Sequence, residues 1–125
     1  MKPMRFEIFV SPGFNSLEVA SITQTLDLTN EITQRDVISR RFVSDAPGFV
    51  DGSGDMILRA EPAIDDYGFS DVMIVVGGSG VEADSWLTRA RQMQRKGRTV
   101  VLLSDAATAY IRATKTPSGL SLIHI

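Results

Sequence analysis

Three short stretches carry residue types that could do chemistry. "VVLLSDAATAY" runs four apolar residues, Val100 to Leu103, into Ser104, Asp105 and Ala106 and then an Ala-rich segment. A side chain at such a strand-to-helix junction stands at the edge of a sheet, where hydrolases of several folds hold a nucleophile. A serine there needs a base to take its proton, because its hydroxyl is inert at neutral pH. "GGSG" closes a second apolar run with Gly77 and Gly78. Two glycines let the backbone approach a ligand, and their N–H groups suit an anion or an oxyanion. The pattern is neither a dinucleotide fingerprint nor a P-loop, so a turn with only a geometric role competes with this reading. In "NSLEVAS", Glu18 follows Asn15 by three residues. That is the spacing of a capping box, which alone would account for Glu18. Ser104 also suits a helix N-cap, and Asp105 suits the positive end of a helix dipole.

The composition removes other chemistries. The chain has no cysteine, so a thiol nucleophile, a disulfide framework and a Cys-ligated metal are excluded. Its one histidine is His124, in the last six residues. Neither a metal nor a cofactor is expected. A net charge of -2 and a pI near 5.3 argue against nucleic-acid binding by this segment itself. "MKPMRFEIFV" has no long apolar region of a signal peptide, and no apolar run is long enough to span a bilayer. A cytoplasmic location with no membrane contact is the expectation.

Elements that position these stretches can be read from pattern. Met4 to Val10 reads as a strand ending in a turn at Ser11-Pro12-Gly13. Asn15 then caps a helix running to about Thr33, with Leu17, Ile22, Leu26 and Ile32 on its core stripe. Val37 to Ser44 reads as a strand polar enough to lie near an edge. The Gly-, Pro- and Asp-rich span from Ala46 to Asp66 admits short strands or a hairpin. Asp71 to Gly78 reads as a central parallel strand, apolar on both faces. Asp84 or Ser85 caps a helix through Lys96, and Gly97 ends it. Arg98 to Leu103 supplies a further central strand. Alternation of strand and helix predicts an α/β three-layer sandwich with a mostly parallel, flavodoxin-like sheet. Trp86 is expected in the core or an interface. The basic stretch Arg89 to Arg98 reads as the solvated face of a helix rather than a DNA patch.

The tail stands apart. "LSLIHI", residues 120–125, has no periodic link to what precedes it. It equals the translation of a transposase adapter used in sequencing libraries. The reading is therefore a partial α/β domain over 1–119, incomplete at its C-terminus, followed by translated adapter over 120–125. The alternative is a genuine apolar strand. If the tail is foreign, His124 is foreign too, and no Ser-His pair can be built from the chain.

The order of blocks carries a resemblance. A strand ending near "PGF", a helix opening "SLEVAS" with "DLTN" further on, then "FVSDAPGFVDGSGDMILRAEPAID", "SDVMIVVGGSG" and "GRTVVLLSDAATAYI" resemble the N-terminal domain of GlxA-like regulators of the AraC family. Those domains are of the ThiJ/PfpI type, related to class I glutamine amidotransferases. The resemblance spans Phe6 to about Ala113. It implies that Ser104 stands at the nucleophile elbow, where the superfamily's enzymes have cysteine. Glu18 matches the acid that bonds that cysteine, and Gly77 and Gly78 match the glycine pair facing the elbow. The sequence departs from the family's Cys-x-Gly with Ser104-Asp105-Ala106, and Ala106 adds a methyl at a crowded turn. Glu18, Gly77, Gly78, Ser104 and Asp105 are the ligand-binding candidates. The implied function is a ligand-sensing or dimerisation domain with a small-molecule effector. It would be a homo-oligomer that meets DNA only through a helix-turn-helix region outside these residues. The alternative is a ThiJ/PfpI-type hydrolase or lyase acting through Ser104.

Overall fold

The structure is a computed structural model that describes residues 2–63, 70–78, 83–103, 106 and 121–123, with the side chains of 83–85 and 121–123 left aside. Ser104, Asp105 and His124 therefore lie outside the described residues.

The chain opens with β1 (Met4–Phe9) and α1 (Ser16–Thr33). Next come β2 (Ile38–Ser44), β3 (Gly48–Asp51), a single helical turn at Ser53–Asp55, and β4 (Ile57–Pro62). β5 (Val72–Val75), α2 (Ala83–Arg95), β6 (Thr99–Leu103) and β7 (Ser121–Ile123) complete the described elements. They form one sheet in the order β3-β4-β2-β1-β5-β6-β7. All pairings are parallel except β3 with β4, a hairpin at the edge. The run β2-β1-β5-β6-β7 has the strand order of a flavodoxin-like sheet, with the order reversing between β1 and β5.

Why these segments take these forms follows from local chemistry. Asn15 Oδ1 accepts from the N–H groups of Leu17 and Glu18 at 3.0 and 3.1 Å, which fixes the start of α1. At the other end Gln34 takes the left-handed conformation, and Asn30 ties α1 to β2. Its Oδ1 accepts from the N–H groups of Val37 and Ile38, and its Nδ2 donates to the Ile38 carbonyl, all at 2.9 Å. Gly97, at φ +72°, ends α2 without a Cβ penalty. β2 is internal, yet it pairs with β4 only at Val43 and Ser44, so its polar first half is open on that side.

Alternation along each strand feeds two cores. Ile8, Val10, Phe14, Val76, Val50 and Ala60 pack with Val19 and Leu26 of α1. Phe9, Val43, Met73, Val75, Val100 and Leu102 pack on the other face with Trp86, Ala90 and Met93 of α2. Trp86 is thus a core residue. So is Ala106, whose methyl is buried on the α2 side of the sheet.

Two expectations are corrected. Leu17 and Ile32 are 75% and 72% exposed, so the buried stripe of α1 is Glu18, Val19 and Leu26, with Ile22 half-buried beside them. The helix lies over β1 and β2, which turns Leu17 and Ile32 away from the sheet beneath it. In the basic stretch, Arg89 is buried rather than solvated. It shares a stripe with Trp86, Ala90 and Met93 and makes a bidentate pair with Glu7 of β1, at 2.9 and 3.0 Å. Arg91, Arg95 and Lys96 are exposed, as read.

Candidate functional site

In an open parallel sheet a ligand finds its crevice outside the carboxyl ends of the strands, where the strand order reverses. Here that point lies between β1 and β5, and two of the three candidate stretches meet there.

The turn after β1 is wedged in from both sides. The Gly13 N–H donates to the Asp51 carbonyl at 2.7 Å, and the Ser53 N–H donates to the Phe14 carbonyl at 2.9 Å. Phe14 forms isolated bridges to Gly52 on one side and Gly78 on the other. A Cβ on Gly52 would run into the Phe14 ring, and one on Gly78 into the Gly13 carbonyl oxygen. Gly78 also sits at φ +145°, so both its conformation and its neighbours require glycine.

Gly77 is held from above and below by the start of α1. The Asn15 N–H donates to the Gly77 carbonyl at 2.8 Å, and the Gly77 N–H donates to Glu18 Oε1 at 2.9 Å. Glu18 is buried. The helix cap is therefore only half a capping box. Asn15 supplies its side chain to the Glu18 N–H, but Glu18 reaches across the sheet edge instead of back to Asn15. A cap needs only a local partner, and here a stronger one, a buried N–H of the neighbouring loop, lies within reach.

This geometry assigns the groups. With its N–H already bonded to a carboxylate, Gly77 does not donate to an oxyanion while that bond stands. Nor is the start of α1 an anion site. The Ser16 N–H goes to Ser53 Oγ at 3.0 Å, the Leu17 and Glu18 N–H groups go to Asn15, and the Val19 N–H goes to the Asn15 carbonyl. What remains at the crevice is a buried carboxyl group, fixed through one oxygen, beside a glycine whose close approach is taken up by the turn after β1. Such a group can accept a hydrogen bond from a ligand or orient a neighbour. Ser104 and Asp105, the third stretch, follow β6 and lie outside the described residues. Among the described residues no cluster of three His, Cys, Asp or Glu side chains suits a metal, and no helix is long and apolar enough to cross a membrane.

Sequence reasoning passed over two contributors. Ser53 fastens the hairpin to α1, with the Ser16 hydroxyl donating to the Ser53 carbonyl at 2.6 Å in addition to the bond above. Its signal was the Gly-Ser-Gly turn, which could not reveal its partner. The Glu7–Arg89 pair did have a signal. An acid between Phe6 and Ile8 of an apolar strand requires a buried cation, and Arg89 stands on the apolar stripe of α2.

Neither a protein-family model nor a curated protein sequence matches the chain. Solved structures do share its fold. An AraC family transcriptional regulator from Pseudomonas putida superposes with a TM-score of 0.75 at 15% identity, over 98% of this chain and 81% of that one. DJ-1beta from Drosophila melanogaster gives 0.73 at 17% identity, over 94% and 63%. DJ-1 from Toxoplasma gondii gives 0.68 at 11% identity, over 88% and 60%. The chain thus has the DJ-1/ThiJ/PfpI fold and spans about three fifths of the length of the two DJ-1 proteins.

Proposed function

We propose that these residues form the effector-sensing or dimerisation domain of a transcriptional regulator whose DNA-binding region lies elsewhere in a longer chain. The observation that supports this best is the match to the Pseudomonas putida AraC family regulator, which takes in nearly all of this chain and four fifths of that one. Two features of the residues agree with it. The chain has no cysteine, so the thiol of a DJ-1-type enzyme is missing. The buried acid of the crevice is bonded to the Gly77 N–H, which makes it an anchor of the fold and not only a group for catalysis. In this reading a small molecule enters the crevice beside Glu18, Gly77 and Gly78, with Ser104 and Asp105 contributing from β6's end. No metal or cofactor takes part. The acidic domain leaves DNA contact to a basic helix-turn-helix region, because a polyanion requires Lys and Arg to displace its counterions.

The second reading, a hydrolase or lyase using Ser104, is favoured by the DJ-1 matches alone. The two separate experimentally. The reading frame is followed from residue 119 to its stop codon, and the full protein is tested for DNA binding and for turnover of small carbonyl and amide substrates. The regulator reading expects a basic helical region, DNA binding that an effector alters, and background turnover in both the parent and Ser104→Ala. A frame that ends without such a region, or robust turnover abolished by Ser104→Ala, overturns it.

A further inference from the structure

Alternation along β1 and β2 gives two unlike halves on the face that α2 covers. Toward the carboxyl ends, Phe9 and Val43 belong to the core with Trp86, Ala90 and Met93. Counted back two residues at a time, the same face carries Glu7 and Arg5 on β1 and, as their register partners, Arg41 and Ser39 on β2. Parallel strands enclosed on both faces are ordinarily apolar throughout. Here four polar side chains, two of them guanidinium groups, form a floor where core would be expected. A cavity of about 240 Å³ stands on it, bordered by Arg5, Ser39 and Arg41, by Glu61 near the end of β4 and by Ser70 just before β5. β4 pairs with β2 only at Val43 and Ser44, which leaves Ser39 to Arg41 without a ladder on that side. The cavity lies toward the amino ends of the strands, whereas Glu18 lies at their carboxyl edge.

Charge selects what such a cavity holds. Glu7 accepts from both Nε and Nη2 of Arg89, and Arg41 stands 4.0 Å from the same carboxylate. Arg40, which also borders the cavity, is held by Asp27 of α1. Asp71, whose Oδ2 accepts from the Arg5 backbone N–H, is matched by Arg98. Among the described residues, Arg5, Arg41 and Arg89 therefore face Glu7 and Glu61, an excess of one positive charge. Each guanidinium has five N–H donors in a planar fork, so a group already bonded to one neighbour keeps donors for another acceptor. Ser70 is a second sign. It is only 4% exposed and borders the cavity, and among the described residues its hydroxyl has no hydrogen-bond partner. A buried hydroxyl is ordinarily bonded, so this one points to a group the cavity takes up.

We propose that this cavity binds a small oxyanion, a phosphate or carboxylate group, between the Arg5 and Arg41 guanidinium groups. The Ser39 and Ser70 hydroxyls donate to its oxygens, and Glu61 limits its affinity by repulsion. Guanidinium and oxyanion match in shape as well as charge, since two parallel N–H groups meet two oxygens. At ~30 Å³ per water-sized group, the volume takes such an anion with a few further atoms attached. The inference rests on the register of β1 and β2, and neither the regulator reading nor the crevice at Glu18 enters it.

The protein and its variants are titrated with sodium phosphate and, separately, with sodium acetate, with sodium chloride at matched ionic strength as the control. Binding is read by calorimetry and by the shift in thermal midpoint. The expected result is saturable binding of phosphate or acetate that chloride does not reproduce. Arg41→Gln should weaken it about tenfold or more, the size of a lost hydrogen bond to a charged group. Arg5→Gln and Ser70→Ala should weaken it in the same direction. Glu61→Gln should tighten it, because an opposing charge is removed. Arg95→Gln, an exposed cation at the end of α2 that does not border the cavity, should leave it unchanged. Arg5 and Glu61 are themselves exposed, so their variants carry the test even if Arg41→Gln fails to fold. Binding of phosphate alone assigns a phosphoryl ligand, and binding of acetate alone a carboxylate ligand. No saturable binding of either overturns the proposal. So does binding that Arg5→Gln and Glu61→Gln leave unchanged, or a loss in Arg95→Gln equal to that in Arg5→Gln, which marks a diffuse surface effect.

Discussion

Two buried glutamates, eleven residues apart, have opposite fates in this fold. Glu7 sits in the middle of β1 with no exposure, closed in by the Arg89 guanidinium and with Arg41 4.0 Å away. Glu18 sits one turn into α1 at the carboxyl edge of the sheet, and its described partner is the Gly77 N–H. No cation among the described residues pairs with it. The first carboxylate is neutralised and locked, and serves to join the sheet to α2. The second meets a backbone N–H beside the crevice rather than an opposing charge. Position relative to the sheet decides which role an acid takes. In the interior a charge survives only when paired, whereas at the carboxyl edge of the sheet backbone donors and a ligand can share an acid.

The largest test of this contrast breaks the ion pair. Arg89→Met should cost about 3–5 kcal/mol in denaturant unfolding, since it leaves Glu7 buried with only the more distant Arg41 as countercharge. Adding Glu7→Gln should recover much of that loss, and a double-mutant cycle reads the coupling. If the single variant is near neutral, the pair is not what joins the two elements.

Next is the glycine that shapes the crevice. Gly78→Ala should cost about 2–4 kcal/mol, combining strain at φ +145° with a clash against the Gly13 carbonyl. Gly97→Ala is the comparison, because its φ of +72° carries the strain but nothing stands near its Cβ, so its cost should be smaller. Thermal unfolding of both variants separates crowding from conformation.

Glu18 comes third. Glu18→Ala should cost about 1.5–3 kcal/mol, the range for a hydrogen bond to a charged group whose buried partner is left unsatisfied. Glu18→Gln keeps an oxygen for the Gly77 N–H and should lose much less stability. If effector binding nevertheless falls in Glu18→Gln, the charge serves the ligand and the oxygen serves the fold. Equal stability losses in both variants would show that Gly77 responds to the charge itself.

The smallest effect belongs to a third carboxylate, exposed on α1. Asp27 accepts two bonds from Arg40 at 3.0 Å, and those bonds hold its carboxyl below the ordinary value of 3.8 while raising that of Arg40. A depressed folded pKa means the pair contributes above the unfolded value, and the contribution disappears as pH falls through the folded one. Asp27→Asn should therefore be slightly less stable than the parent near neutrality and equal to it in strong acid. Solvent screening keeps the difference slight. A difference that grows with acidity would contradict the assignment.

What the sequence determined by itself was local. Asn15 as a cap, Gly97 as a stop, and the apolar runs at Met4–Phe9, Val72–Val75 and Thr99–Leu103 rest on interactions within a few residues, so their pattern is legible in one dimension. Alternation of those elements then gave the layered sheet and directed attention to the turns after β1, β5 and β6. Tertiary structure alone decided which partner each side chain met. Glu18 read as a capping residue until the Gly77 N–H came within reach from a strand 59 positions away. Arg89 read as solvated until Glu7 of β1 lay beneath it, 82 positions off. Leu17 and Ile32 carried the helical spacing of a core stripe and were turned outward, because α1 settles over β1 and β2. Helix period states which residues share a face, but the sheet beneath fixes which face is buried. That choice follows from summed burial across the whole domain, and no short stretch of sequence contains it.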